Sequence, residues 1–396
     1  MGQLPLPDKQ NLTDEEFFNR IMEITTLTNL LNSTKSGNAP NLLLTGIRGV
    51  GKTVFLRKIK QELEKDYLVV YIDFSRAECY QKDNLSINGL MEHYYNELLN
   101  ECKRKGLTTI DKKITKYFKT NNFKIKDVKN VGGYSLPVIG SEKNSEKFIN
   151  FVLNLPQQIY EEDEFCYQGI LIFIDEFQII KELNKYVESF LWKFRSFIQN
   201  QNFVSYVLSG SMSLQDELIT KIASRGGVFG GRMMTFHINP FDKNTVKKYL
   251  DEKANTLIFS DDGFERFYKC TSGIPSYINL FGRLLPSNVQ LDAELVKKEF
   301  INAIPLLSTQ LINIWSRLSS TEQEILISLL NNDLKRIEIA DYVGVKSGSL
   351  SRPLNKLQNE GLIMIIDGKY QLTEPMLGKW LKLEYERKGI YPYRRI

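Results

Sequence analysis

The apolar and polar positions of the chain fall into three stretches of different rhythm. In the first, short apolar runs alternate with helical patterns. The runs are residues 41–45 (NLLLT), 67–74 (YLVVYIDF), 170–174 (ILIFI), 203–208 (FVSYVL) and 233–238 (MMTFHI). Apolar runs this short, several of them rich in β-branched and aromatic residues, read as buried strands. Between them apolar positions recur every three or four residues, predicting helices over 13–31, 53–65, 88–105, 145–161 and 188–199. Thr13 and Glu16 have the spacing of a capping box for the first. Strands alternating with helices build a parallel α/β sheet.

From Asn244 to about Ile314 the strand runs fade and the pattern is helical. From Ser319 to Leu381 the rhythm changes again. A helix over 321–330, capped by Ser320 with Gln323, is followed by one over 337–343, a turn at Gly344-Val345 and a third helix over 349–359. Leu350, Leu354 and Leu357 share one face of the third, and Gly361 ends it. Residues 362–366 and 369–372 flank Asp367-Gly368, a hairpin signal. This is the cadence of a winged helix-turn-helix. The expected division is therefore an α/β core over 1–240, a helical domain over 241–314 and a winged helix over 315–396. The lysine-rich segment 112–129 and the following Gly132–Pro137 have no clean period and read as an insertion or mobile loop with a solvated charged face.

With 42% hydrophobic and 25% charged residues, the chain has the means to bury a core in each of these parts. A net charge of +5 permits an acidic partner such as nucleic acid without demanding one. Cys79, Cys102, Cys166 and Cys270 form no C-x-x-C pair, and the histidines are His93 and His237, which argues against a structural zinc or a disulfide framework and for a reducing compartment. The first ten residues hold no apolar run like a signal peptide, and runs such as 170–174 are too short for a bilayer, so the expected location is cytoplasmic with no membrane partner.

Gly46-Ile47-Arg48-Gly49-Val50-Gly51-Lys52-Thr53 fits G-x-x-x-x-G-K-[ST] between an expected strand and an expected helix, the context that a phosphate-binding loop requires. The glycines let successive N–H groups turn inward toward phosphate oxygens, and the helix N-terminus adds partial positive charge behind them. Lys52 is then placed to neutralise the β- and γ-phosphates, and Thr53 to hold Mg²⁺. Asp175 and Glu176 follow directly on the third run. In a parallel sheet ligands bind at the carboxyl strand ends, so Asp175 reaches the same edge as the loop. Asp175 is the second candidate metal ligand and Glu176 the candidate base for an attacking water, with Gln178 in the same network. Ser209 and Ser211, at the fourth strand end, are either sensors of the γ-phosphate or plain turn serines. Arg232, with Arg225 as runner-up, is either a surface arginine or a guanidinium that stabilises the transferring phosphoryl group, in cis or from a second copy. His237 alternates with apolar residues and reads as a core or edge histidine.

These residues in order resemble the archaeal-type ATPases of the AAA+/STAND group, P-loop NTPases with a helical lid and a C-terminal winged helix. Phe17-Phe18-Asn19-Arg20 with Glu23 is similar to the family's F-x-N-R-x-x-E-L entry motif, with Ile24 in place of leucine. Asp175-Glu176-Phe177-Gln178 matches its D-E-F-Q, Leu208–Ser211 resembles its sensor strand end, and Gly273-Ile274-Pro275-Ser276-Tyr277 resembles its lid motif G-x-P-x-Y. Gly230-Gly231-Arg232 stands where the family has Y-G-R, and no arginine directly follows Pro275. The resemblance implies ATP and Mg²⁺ as ligands, with Phe17, Arg20 and Pro275 near the adenine. No guanine-reading N-K-x-D follows the core strands.

On and just before the third C-terminal helix, Lys346, Ser347, Ser349, Arg352, Asn355 and Lys356 point outward in the pattern, and Lys369 lies on the wing. They can donate to phosphates, and Arg352 or Asn355 could read base edges. Acids are nearly as common as bases here, so a protein or intramolecular interface stays open beside double-stranded DNA. The expected function is an ATP-hydrolysing switch that presents the winged helix to DNA or a partner protein. An initiator similar to the origin-recognition family, and a slow nucleotide sensor of the STAND type that works by homo-oligomer assembly, are the alternatives.

Overall fold

The computed structural model describes residues 4–5, 13, 17–107, 128–131, 134–137, 142–161, 166–211, 217–307 and 309–392. Glu16 and most of the lysine-rich segment 112–129 lie outside the described residues.

In the first half the strands are β1 (Asn41–Thr45), β2 (Leu68–Asp73), β3 (Val128–Val131), β4 (Tyr134–Pro137), β5 (Ile170–Asp175), β6 (Val204–Ser209) and β7 (Met233–His237). The helices are α1 (Ile21–Leu31), α2 (Lys52–Leu63), α3 (Glu78–Gln81), α4 (Ile87–Arg104), α5 (Glu142–Tyr160), α6 (Val187–Ile198) and α7 (Glu217–Ala223). Five strands form one sheet in the order β2-β5-β6-β1-β7, every pairing parallel. Segment β3 pairs antiparallel with β4 as a separate hairpin.

The two faces of the sheet follow from the alternation of side chains along a strand. Leu43, Ile170, Ile172, Ile174, Tyr206 and Leu208 turn to one layer, where they meet α4, α5 and α6. Leu42, Leu44, Leu171, Phe173 and Val207 turn to the other, against α1 and α2. Covered on both sides, the inner strands are apolar throughout, which is why their sequences show no alternation. The first helix is shorter than the sequence pattern implied. Asn19 and Arg20 have φ of 61° and 67°, a left-handed pair that breaks the helix, so it begins at Ile21 rather than at Thr13.

The second half is built of α8 (Lys243–Lys253), α9 (Asp261–Thr271), α10 (Pro275–Leu284), α11 (Ala293–Leu307), α12 (Thr309–Arg317), α13 (Ser320–Ser328), α14 (Arg336–Val343), α15 (Ser351–Asn359) and α16 (Pro375–Lys388). It is not purely helical up to 314: the two-residue strands β8 (Ile258–Phe259) and β9 (Gln290–Leu291) pair in parallel. Helix α12 runs across the expected boundary at 314/315. The cap of α13 is Ser319 with Glu322, one residue before the expected Ser320 and Gln323. A helical turn at Ser347–Leu350 precedes α15, and Pro353 sits in the first turn of α15, where no helical N–H is lost. Strands β10 (Ile363–Ile366) and β11 (Lys369–Leu372) form the hairpin around Asp367 and Gly368, both with positive φ.

One apolar core runs through this half from Phe241 to Leu383, including Phe267, Phe281, Trp315, Leu354 and Trp380. Trp315 and Trp380 meet edge to face at 6.0 Å. The helices after 241 and the C-terminal elements therefore pack as one body beside the sheet domain. Among the described residues no helix is long and apolar enough to cross a membrane.

Candidate functional site

The loop Gly46–Gly51 joins β1 to α2 at the carboxyl edge of the sheet. Gly49 has φ of +80°, a conformation that favours glycine, and a Cβ there would lie 2.2 Å from Ser276 Oγ. The N–H of Ser276 donates to the Gly49 carbonyl at 3.2 Å, so the start of α10, with Pro275 at its first turn, rests on the loop. Val50 is buried and Ile47 and Arg48 face the open cleft.

Lys52 lies within the loop. Its ammonium donates to the carbonyls of Gly46 at 2.8 Å and Ile47 at 3.0 Å and to Ser211 Oγ at 3.3 Å. Burial lowers its pKa to about 8, against the opposing pull of Asp175 and Glu176. A buried cation satisfied by loop carbonyls is suited to exchange them for phosphate oxygens.

Asp175 collects three donors at the end of β5. Thr53 Oγ1 donates to its Oδ2 at 2.6 Å, the Tyr71 hydroxyl to the same oxygen at 2.7 Å, and the Glu176 N–H to its Oδ1 at 3.0 Å. Burial first, and Asp175 second, push the Tyr71 phenol well above its ordinary range, so it stays a donor. Glu176 stands at φ of 54° and is also displaced upward by burial and by the charge of Asp175. Gln178 joins the two strand ends: its amide nitrogen donates to Glu176 Oε2, and its carbonyl oxygen accepts from the Ser211 N–H at 3.2 Å. The Ser209 hydroxyl is buried and has no hydrogen-bond partner among the described residues.

Thr53 and Asp175 offer hard oxygen donors side by side at the head of α2, and Lys52 with the glycine loop offers a cationic, N–H-rich cradle. The donor set fits a magnesium–nucleotide phosphate complex, in which a protein supplies one or two oxygens and phosphate and water the rest.

The remaining expected residues divide. Arg20 is buried; it donates to the carbonyls of Asn239 at 2.6 Å and Val50 at 3.5 Å, pairs with Glu23 at 3.1 Å and lies 4.8 Å over the Phe241 ring. It ties the entry segment to the loop and to the crossing into α8. Phe17 has Lys58 of α2 6.0 Å from its ring. Arg232 and Arg225 are exposed, and neither lines the cleft. His237 is half-buried and shares a 2.9 Å hydrogen bond with Thr45.

The cleft above the loop, about 1370 Å³, is lined on one wall by Arg48, Thr53, Asp175 and Glu176 and on the other by Arg317, Arg352, Asn355 and Lys356. Three expected DNA contacts thus line the same cleft as the loop, whereas Lys346, Ser347, Ser349 and Lys369 lie outside its lining. Three interactions escaped the sequence reading. Tyr71 is one; its only signal was a hydroxyl inside an otherwise apolar strand. The second is a buried pair, the Tyr277 hydroxyl donating to Glu374 just after the hairpin, with Arg48 close enough to oppose the upward shift that burial gives both groups. The third is Lys379, whose ammonium donates to the Lys269 carbonyl at 2.9 Å and the Cys270 carbonyl at 2.5 Å. The last two bind the C-terminal elements to the helices before them.

No curated protein sequence matches the chain. Among solved structures it is similar to a Walker-type ATPase of Pyrococcus abyssi, at 20% identity and TM-score 0.63, over 95% of this chain and 99% of that one. It also aligns with the Aeropyrum pernix ORC2 protein in its ADPNP–ADP complexes, at 14% identity and TM-score 0.48, over 95% and 98%. A third alignment is with the Aeropyrum pernix ORC1 protein in complex with DNA, at 14% identity and TM-score 0.46, over 96% and 95%. A sequence profile of ATPase domains predominantly from Archaea matches residues 17–281, the stretch that holds the loop, Asp175, Glu176 and the start of α10. With two thirds of its length in that match, the chain belongs to this archaeal-type ATPase family.

Proposed function

We propose that the chain is an Mg²⁺- and ATP-dependent switch: it binds ATP at the loop, hydrolyses it, and couples its nucleotide state to how a C-terminal winged helix (residues 315–396, after a lid over 241–314) meets double-stranded DNA. In this reading Lys52 and the loop N–H groups hold the phosphates, and Thr53 and Asp175 hold Mg²⁺. Bound there, the ion would screen the phosphate charge during in-line displacement. Glu176, with its raised proton affinity and its link to Gln178, accepts the proton of the attacking water. Ser209, a buried hydroxyl with no partner among the described residues, and Ser211, on Lys52, sense the γ-phosphate.

The observation that carries the switch is the shared cleft. Arg352, Asn355 and Lys356, the residues best suited to grip a duplex, line the same cavity as Thr53, Asp175 and Glu176. All three are exposed, so a narrowing of that cleft on ATP would withdraw them and a widening would present them, and the nucleotide state would control access to DNA. The test is binding of the full chain to duplex DNA with ATP and with ADP, at two salt concentrations. Equal, salt-insensitive binding in both states would remove the DNA arm and leave a protein partner.

A second reading is favoured by the position of Arg232 and Arg225, exposed and away from the cleft. Either could serve only from a second copy, giving slow turnover in the monomer and assembly on ATP. Turnover per chain that rises with protein concentration would support it; a constant value would exclude it.

A further inference from the structure

Leu4 is buried in the core of the second half, far in sequence from the helices that surround it. Its seat is made by a glycine. A Cβ on Gly282, near the end of α10, would stand 2.4 Å from Leu4 Cδ1, 3.7 Å from Leu257 Cδ1 and 3.9 Å from Phe267 Cζ. A side chain at 282 would therefore claim the space that Leu4 fills. The next residue, Arg283, donates from Nη1 to the Leu4 carbonyl at 2.6 Å. Its guanidinium makes no other hydrogen bond and no ion pair among the described residues. Pro5 is buried as well and has no N–H to add. One leucine and one charge-assisted hydrogen bond fasten the segment, a contact small enough to come undone while the rest of the core stays folded.

The same stretch of chain leads to the phosphate loop. Phe18 lies 5.0 Å from the Tyr249 ring of α8 and 6.3 Å from Phe241. Arg20 donates to the Val50 carbonyl in the loop and to the Asn239 carbonyl. Helix α10 meets the loop by its other end, where the Ser276 N–H donates to the Gly49 carbonyl. The start of α10 is thus fixed to the loop and its end to Leu4, about 10 Å further along the helix. The chain of Leu4 returns to the loop through Arg20. These contacts close a circuit beside the loop, and Leu4 is its one link made by a single apolar side chain in a glycine-shaped seat.

We propose that Leu4 is a detachable clip that holds α10 and the second half against the phosphate loop, and that its release sets how fast nucleotide leaves. The proposal rests on the reading of the loop as an ATP site. An apolar clip has no charge with which to read a γ-phosphate, so it retards ATP and ADP alike. It governs the rate of exchange and not the choice between the two nucleotides.

The test is dissociation of a fluorescent ADP analogue with Mg²⁺, chased with excess ADP, from the full chain and from Leu4→Ala, Gly282→Leu, Arg283→Ala and Lys52→Ala. Leu4→Ala should speed release roughly tenfold, the scale of one buried leucine. Gly282→Leu fills the same seat from the helix side. It should release the analogue as fast as Leu4→Ala yet keep the thermal midpoint of the parent, which a mere loss of packing would lower. Arg283→Ala deletes only the hydrogen bond and should speed release by less. Leu4→Ala combined with Gly282→Leu should be no faster than either alone, because both undo one contact. Release at the parent's rate in both Leu4→Ala and Gly282→Leu would overturn the proposal. Failure of the site reading itself looks different: Lys52→Ala would then hold the analogue as tightly as the parent.

Discussion

Thr53 Oγ1 donates to Asp175 Oδ2 at 2.6 Å. The contact joins the head of α2 to the end of β5, a strand separated from β1 by β6. It brings together two oxygen donors that lie 122 residues apart. Fixed by packing before any ligand arrives, such a pair lowers the ordering cost of binding a metal–nucleotide complex.

Glu176 lies beside this pair but is not one of its oxygens. Glu176→Gln should therefore bind ATP with little change and lose turnover on the order of a hundred- to ten-thousandfold, the range of a general base. Single-turnover hydrolysis measured alongside ATP affinity separates the two effects. Retained turnover would remove Glu176 as the base.

Tyr71 is the donor to Asp175 that does not belong to the loop or to the acidic pair. Tyr71→Phe keeps the ring and deletes the hydroxyl. Asp175 would then have two donors in place of three, at a cost of about 1.5–3 kcal/mol for a hydrogen bond to a charged group. The expected result is a lower thermal midpoint without nucleotide and weaker Mg²⁺ dependence of ATP binding. An unchanged Mg²⁺ titration would show that Tyr71 only packs.

Tyr71 also marks how far the sequence could be read. The five strands and the loop were legible because each rests on local pattern: an apolar run, a glycine spacing, an acid at a strand end. Asp175 could be placed on the loop's edge because parallel strands deliver their ends to one side. What could not be read were partnerships set by packing. The motif that holds Arg20 did not announce that its guanidinium engages Asn239, Val50, Glu23 and Phe241. The first helix was read eight residues too long, because Asn19 and Arg20 take left-handed conformations that no periodicity announces. Nor did outward positions on α15 reveal what they face, since exposure on a helix does not say which domain lies across the gap.

Glu374 gives a pH dependence. Burial, partly offset by the Tyr277 hydroxyl, the Met376 N–H, Arg48 and Lys379, raises its pKa above the ordinary range. In the folded chain it therefore holds its proton at pH values where the unfolded chain, with a glutamate pKa of about 4.3, has lost it. Between those two values the folded state binds more protons, so stability falls as pH rises through the raised pKa. Glu374→Gln keeps an acceptor for Tyr277 and removes the titration. Thermal midpoints from pH 4 to 8 should fall more for the parent than for the variant. Parallel profiles would show that the carboxyl is already ionised in the folded chain.

Gly49 and Ser276 test how the loop and the start of α10 are joined. A Cβ on Gly49 would stand 2.2 Å from Ser276 Oγ and 3.2 Å from Ile274 Cγ2. Gly49→Ala must therefore push the start of α10 off the loop, and the left-handed backbone adds about 1–2 kcal/mol of strain. ATP affinity should fall by about tenfold or more, a loss of at least roughly 1.4 kcal/mol. Ser276→Ala deletes the oxygen that the new methyl would strike. Combined with Gly49→Ala, it should restore part of the lost affinity, because the hardest contact is removed while the 3.2 Å approaches to Ile274 Cγ2 and Ser276 Cβ and the backbone strain remain. A cycle of the two single variants and the double, read by ATP affinity, isolates this coupling. Strict additivity would mean that the loop and α10 respond to the nucleotide independently, and that the 3.2 Å contact from the Ser276 N–H to the Gly49 carbonyl transmits nothing between them.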